Sequence, residues 1–334
     1  VIATGSTPVI PDIPGLAEAG AWTHRDIVSA ETLPQSLVVI GAGAVGCELS
    51  QLVTRFGTKV TIIEPAGRLL PREEPEVSAA LADVLAAEGI EVITGVEIRS
   101  ASPSLVTLED GRELETERIL IATGRRPVLE DLDLEAVGLD PGADAIATDE
   151  HMRAADGIWA IGDVTARGML THVAIHQGAV AVSDILGREH TPMSYDAIPR
   201  AVFTDPEVAS VGMTETDARE AGLEPLAVVK PLGASFRGWL HRDGNAGLIK
   251  LVFDPAADRL VGASVMSPGG GEVLGMLALA VHAKLPLETL RSMTYAFPTL
   301  HGAVGEAIGA YGRGLVTVLD PGNDGIARLD AALG

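Results

Sequence analysis

Cysteine is nearly absent: Cys47 is the only one in 334 residues. A single thiol excludes a disulfide within the chain and a cysteine-rich metal site. It fits a reducing compartment, and the expected location is cytoplasmic. No N-terminal signal segment is visible. Long apolar runs are missing as well. Every stretch approaching about 18 residues is broken by charge, Gly or Pro, which excludes a transmembrane helix. Positive charge is scarce: 24 Lys and Arg face 46 Asp and Glu, a net charge of −22. Phosphate backbones and anionic lipid repel such a polyanion, so neither nucleic acid nor a membrane is an expected partner. Lysine stands only at Lys59, Lys230, Lys250 and Lys284. With abundant Ala and Arg, that bias reflects genome composition rather than function.

What is present describes a folded globular chain. Apolar residues make up 47% and charged residues 21%, enough for substantial cores in two or three domains. The clearest element is the β-rich run Leu37-Val38-Val39-Ile40, followed by Gly41-Ala42-Gly43-Ala44-Val45-Gly46 and a helical pattern up to Phe56-Gly57, where Gly is the C-cap. A strand at 59–64, a helix at 76–87 and a strand at 91–93 continue the alternation, which is that of a doubly wound α/β sheet. Residues 97–108 and 112–117 read as a small antiparallel insertion turning at Glu109-Asp110-Gly111. A buried strand at 118–122, a strand at 157–163 and an apolar helix at 171–186 follow. Beyond Pro199 the texture is antiparallel, with strands at 248–253 and 260–265 and helices at 272–283 and 300–309.

One pattern occurs twice. Val1-Ile2-Ala3-Thr4-Gly5-Ser6-Thr7-Pro8 matches Leu120-Ile121-Ala122-Thr123-Gly124-Arg125-Arg126-Pro127. Two copies of strand-Ala-Thr-Gly-x-x-Pro point to two related nucleotide-binding units. Val1-Ile2-Ala3 reads as a strand entered partway, so the chain is expected to be the later part of a longer protein.

Gly41-x-Gly43-x-x-Gly46 follows a strand and opens a helix, the context that gives this motif meaning. Gly41 permits the tight turn, Gly43 lets a pyrophosphate approach the backbone, and Gly46 lets helix and strand pack closely. The helix start, including Ala42, Ala44 and Val45, turns free N–H groups towards phosphate. Glu64 ends the second strand, 21 residues after Gly43. A carboxylate there accepts from a ribose 2′-hydroxyl and repels a 2′-phosphate, which favours NAD over NADP. Arg68, close by, softens that preference if it reaches the ribose.

With these motifs in hand, the chain resembles the flavin-dependent pyridine nucleotide–disulfide oxidoreductases. That family includes dihydrolipoamide dehydrogenase, glutathione reductase and mercuric reductase. The resemblance rests on Ala3-Thr4-Gly5-Ser6, residues 41–48, Ala122-Thr123-Gly124-Arg125, Ala160-Ile161-Gly162-Asp163 and residues 203–212. It implies FAD/NAD-binding Rossmann-type domains followed by a C-terminal α+β interface domain. The implied divisions are 1–34 and 126–194 for FAD, 35–125 for NAD, 195–320 for dimerisation, and a tail at 321–334. The resemblance implies that Thr4, Gly5 and Ser6 lie near FAD, and that Gly162 and Asp163 meet its ribityl chain. It also implies that the helix opening at Thr171 and His172 faces the flavin ring. Gly124 would touch the nicotinamide nucleotide, and Glu48 would lie near the nicotinamide as a catalytic residue.

The interface domain departs from the pattern. Where disulfide reductases carry His-Pro-x-x-x-Glu, this chain reads Phe297-Pro298-Thr299-Leu300-His301-Gly302. Phenylalanine carries no proton. His301, one turn on, is the candidate displaced base. Residues 315–334 lack the vicinal cysteines with which mercuric reductases end. His172, His176 and His190 show no metal-ligand spacing, so no metal is expected. The expected protein is an FAD-dependent NAD(P)H oxidoreductase and homodimer, passing hydride to a small-molecule acceptor such as a quinone. The alternatives are a dihydrolipoamide dehydrogenase or mercuric reductase with its Cys pair upstream, and a nucleotide-binding subunit without catalysis.

Overall fold

A computed structural model describes residues 1–242, 244–318 and 327–330. The chain divides into two compact units. One joins Val1–Asp12 to Thr123–Ile198, and the other joins Ile13–Ala122 to Pro199–Gly334. Most of the expected tail at 321–334 lies outside the described residues. Among the described residues no helix is long and apolar enough to cross a membrane.

The larger unit is built on a four-stranded parallel sheet in the order Glu91–Thr94, Lys59–Glu64, Ser36–Ile40, Arg118–Ile121. Its strands are near-continuous apolar runs because helices cover the sheet. Val39, Ile62 and Leu120 are fully buried, as are Val77, Leu81 and Leu85 on the helix Pro75–Ala87. Pro75 starts that helix, where a missing N–H costs nothing. The same core runs on through Val202, Val208, Leu248 and Met266. Those residues belong to an antiparallel seven-stranded sheet that includes Glu207–Gly212, Arg259–Ser267 and Leu248–Asp254. The helices Gly270–His282 and Leu300–Gly312 pack on this sheet.

The insertion differs from the sequence reading. Residues 97–108 are two strands, Ile98–Ser102 and Leu105–Leu108, and Glu113–Glu115 is the third. Pro103 lacks the N–H a continuous ladder would need, so the chain turns at residues 103–104.

In the smaller unit the two expected strands at 1–3 and 157–163 are very short. Ile2 forms a single parallel bridge to Ala160, and the regular strand is only Ile158–Trp159. The reason is local: Gly5 (φ 75°) and Gly162 (φ 76°) turn each segment away directly after the bridge.

Candidate functional site

The glycine-rich turn lies in the larger unit between Ser36–Ile40 and the helix Ala44–Arg55. Gly41 adopts φ 102°, a conformation closed to most side chains. Its three glycines do different work. A Cβ on Gly46 would lie 2.0 Å from the Gly41 carbonyl oxygen and 3.4 Å from Ala122 Cβ. A Cβ on Gly43 would meet nothing within 4 Å. One glycine is demanded by packing and the other faces open space. Gly43 is the N-cap and supplies no side-chain acceptor, so the first-turn N–H groups from Ala44 onwards have no side-chain cap. No acidic residue stands in that first turn, and Val45 is partly exposed. The positive end of the helix is therefore left for an anion.

Glu64 is tied into this turn. Its Oε2 accepts from the Ala42 N–H at 2.7 Å, and its Oε1 accepts from the Ala66 N–H at 2.9 Å. Each oxygen keeps a second lone pair for a ligand hydroxyl. Leu70 N–H donates to the Ala42 carbonyl and pins the turn from the other side. Arg68 is engaged elsewhere: its Nη2 donates to the carbonyls of Pro71 and Glu73.

Cys47 is wholly buried beneath the turn. Burial pushes its thiol up to about 12, with Glu48 and Glu64 adding repulsion, so it is an unreactive apolar residue. Glu48 follows on the same helix, half-buried. Burial raises its carboxyl above the usual range, against the Phe203 N–H that donates to Oε1 at 2.8 Å. Gln51 exchanges two hydrogen bonds with the Asp205 backbone, and Arg55 pairs with the Asp205 carboxylate. Glu48, Gln51 and Arg55 form one helical stripe that grips residues 203–205. The sequence singled out Glu48 but not its neighbours, whose partners lie about 150 residues on.

The smaller unit holds the second group. Ser6–Pro8 pairs antiparallel with Arg125–Pro127, so the two copies of the repeat meet each other. The contacts are reciprocal. Val128 N–H donates to the Gly5 carbonyl and Val9 N–H to the Gly124 carbonyl. Thr4 Oγ1 donates to the Val128 carbonyl and Thr123 Oγ1 to the Val9 carbonyl. Thr4 thus serves the pairing of the repeats. Arg125 Nε donates to Ser6 Oγ at 2.7 Å, and Ser6 Oγ donates to Asp163 Oδ2. Asp163 remains 24% exposed, leaving part of its carboxylate accessible. Gln177, fully buried, holds the Gly162 N–H at 2.6 Å and reaches Thr165 and Tyr195. Nothing in the local pattern announced Gln177. Thr171 and His172 are exposed at the start of the helix Thr171–Ile185, which has no side-chain cap.

At the segment 295–306 a cavity of about 260 Å³ is lined by Phe236, Arg237, Tyr295, Phe297, Pro298 and Glu306, among others. Phe297 is 70% exposed and tilts against Phe236 at 4.7 Å between ring centres. His301 does not line it. Its Nε2 lies 2.9 Å from Met276 Sδ, and its ring packs on Tyr295. Glu306 pairs with Lys230 at 2.8 Å.

Two buried or clustered polar groups went unread in the sequence. Lys250, with no exposure, is ringed by Glu74, Glu76 and Glu215 at 2.9–3.0 Å. His151, Asp184 and His190 place ligand-type atoms within 4.8 Å of one another.

Comparison with known proteins gives one consistent picture. The model of the pyridine nucleotide-disulphide oxidoreductase family matches residues 1–178, and its dimerisation domain matches residues 198–308. The mercuric reductase of Staphylococcus aureus is 34% identical over 299 residues, covering 87% of this chain and 54% of that protein. The dihydrolipoyl dehydrogenase of Halobacterium salinarum is 35% identical over 319 residues, covering 92% and 66%. The chain therefore spans about half to two thirds of the curated relatives it matches. Among solved structures, the HOCl-induced flavoprotein disulfide reductase RclA from Escherichia coli superposes with a TM-score of 0.81 at 28% identity, covering 92% of this chain and 72% of that one. LpdA from Mycobacterium tuberculosis gives 0.81 at 27%, covering 92% and 68%.

Proposed function

The chain belongs to the pyridine nucleotide-disulphide oxidoreductase family, whose members are FAD-dependent enzymes using NAD(P)H, and from that premise we propose that the protein carrying it is an NADH-linked oxidoreductase whose acceptor is not a disulfide. The divisions proposed for it are an NAD-binding part at 35–125, FAD-binding parts at 1–34 and 126–194, and a dimerisation part from 195. Its assembly is an isologous homodimer, the simplest closed form for a chain with a dimerisation domain.

The residues fit both nucleotides. The open space over Gly43 and the uncapped start of Ala44–Arg55 suit a pyrophosphate. Glu64, held by two backbone N–H groups, presents its remaining lone pairs to a ribose diol and repels a 2′-phosphate. Arg68 turns its Nη2 to the carbonyls of Pro71 and Glu73. Ser6, Gly162 and Asp163 suit the polyol and phosphate end of FAD, and the start of Thr171–Ile185 suits its electron-rich ring. When bound, NADH and FAD supply the hydride chemistry. Glu48 orients the nicotinamide side of the site.

The observation that carries the acceptor assignment is Phe297. It stands where the family places its acid, it is exposed, and it forms an aromatic wall with Phe236. His301, committed to Met276, does not replace it. Reducing a disulfide expels a thiolate that needs a proton, whereas a planar quinone takes hydride with less help. The names of the relatives favour a second reading, in which lipoamide-type disulfides or Hg(II) are reduced. Steady-state NADH oxidation with a benzoquinone and with lipoamide separates the two. Fast quinone turnover with poor lipoamide turnover, improved by Phe297→His, is expected. Efficient lipoamide turnover by the unaltered protein would refute the reading.

A further inference from the structure

His151, Asp184 and His190 lie outside every residue assigned above to nucleotide or acceptor. They come from three segments. His151 lies in the turn before Arg153–Ala155, Asp184 in the last turn of Thr171–Ile185, and His190 in the loop that follows. Each is held before any ligand arrives. Asp149 Oδ1 accepts the His151 and Arg153 N–H groups. The His190 loop is fixed at both ends, by Arg188 N–H to the Ser183 carbonyl and by Met193 N–H to the Glu150 carbonyl. Asp184 is clamped by Arg153 at 2.6 Å through two bonds and by Trp159 Nε1 at 2.8 Å.

The chemistry of the three side chains can be read from their neighbours. His190 Nδ1 lies 2.9 Å from the Arg188 carbonyl, which only accepts. Nδ1 therefore carries the proton, and Nε2 presents a lone pair. A backbone carbonyl on the far nitrogen is the usual outer support of a metal-binding histidine. That Nε2 lies 2.9 Å from His151 Nδ1. The other His151 nitrogen, Nε2, faces Glu150 Oε1 at 3.7 Å, where an N–H is welcome. Asp184 Oδ2 is filled by Arg153 Nε and Trp159 Nε1. Oδ1 receives only the second Arg153 nitrogen and keeps a lone pair. The two-pronged ion pair with Arg153 is the partner a carboxylate takes.

We propose that His151 Nδ1, His190 Nε2 and the Asp184 carboxylate bind one late first-row divalent cation of square or octahedral preference, of the Ni(II) or Cu(II) class. The separation of the two nitrogens is compatible with that class. With metal–nitrogen bonds of about 2.0–2.1 Å, a nitrogen pair 2.9 Å apart subtends roughly 90° at the metal. Tetrahedral zinc would need the pair at about 3.3–3.4 Å. Right angles with nitrogen and oxygen donors belong to tetragonal and octahedral ions, with water completing the shell. The alternative state is a direct His151 Nδ1–H to His190 Nε2 hydrogen bond. Metal entry moves that proton to His151 Nε2, beside Glu150, so no proton has to leave the site.

The test uses the untagged protein, stripped with EDTA and titrated calorimetrically with NiCl2, with ZnCl2 and MgCl2 as comparators. One Ni(II) per chain is expected, with weaker Zn(II) and no Mg(II) binding. His151→Gln and His190→Gln should each weaken Ni(II) by roughly 100-fold. Their metal-free melting temperatures and circular dichroism should match the parent. The two histidines sit on separate segments, so a variant that misfolds leaves the other to decide. Absence of stoichiometric Ni(II) binding, binding untouched by the histidine changes, or Zn(II) held more tightly than Ni(II) would each overturn the assignment.

Discussion

The glycine turn at 41–46 and the Ser6–Arg125–Asp163 group are both candidate nucleotide contacts, but they are encoded in opposite ways. Apart from Glu64, the first is written in six consecutive residues, and its hydrogen bonds close over about twenty residues. The second joins residues 119 and 157 positions apart. A contiguous turn is fixed by backbone geometry, so glycine spacing reveals it. An assembled cluster exists only after folding, and its members look ordinary one by one. The Lys250 cluster is a further case of the second kind, with partners up to 176 positions away.

Four substitutions probe this contrast, and the largest effect falls on an assembled group. Lys250→Met leaves Glu74, about 2% exposed, without its cation, and leaves Glu215 with Arg219 alone. A loss of about 3–5 kcal/mol is expected in urea denaturation at pH 7. The deficit should shrink as the pH falls and Glu74, whose carboxyl burial raises, takes up a proton. A deficit below about 1 kcal/mol would mean that water reaches the cluster.

The two glycines of the turn come next. Gly46→Ala drives a methyl into the Gly41 carbonyl and should cost about 1–3 kcal/mol of stability. Gly43→Ala enters open space, and its stability should change by less than about 0.5 kcal/mol. Only NADH affinity should fall there. Equal effects of the two changes on melting would erase the distinction drawn between them.

The smallest effect is at Glu48. Its folded-state carboxyl is raised by burial, so the ionised form costs stability above the ordinary carboxylate range. Glu48→Gln should therefore match the parent near pH 4 and gain on it as the pH rises to 7. A gap that narrows with rising pH would show that the Phe203 N–H outweighs burial.

The legibility of the chain follows the same division. The parallel sheet and its helices were visible because buried strands and amphipathic helices have distinct periods. Phe297 was visible as a departure from a known pattern, although its contact with Phe236 was not. The contraction of the strand at 157–163 is not legible in the sequence, because its apolar run is longer than its pairing with Ile2. Gln51, Gln177 and Lys250 are not legible in the sequence because each takes its meaning from a distant partner. The sequence marks the two repeats as related units, and the structure adds that they pair with each other.

In the function proposed above, the Gly41–Glu64 site takes NADH in preference to NADPH and passes its electrons to a flavin. Anaerobic stopped-flow reduction of the flavin in the complete protein tests it directly, with each nucleotide in turn. Faster and tighter reduction by NADH is predicted, by an amount worth about 1.5–3 kcal/mol, with the preference collapsing in Glu64→Gln. Equal or faster reduction by NADPH in the unaltered protein would contradict it.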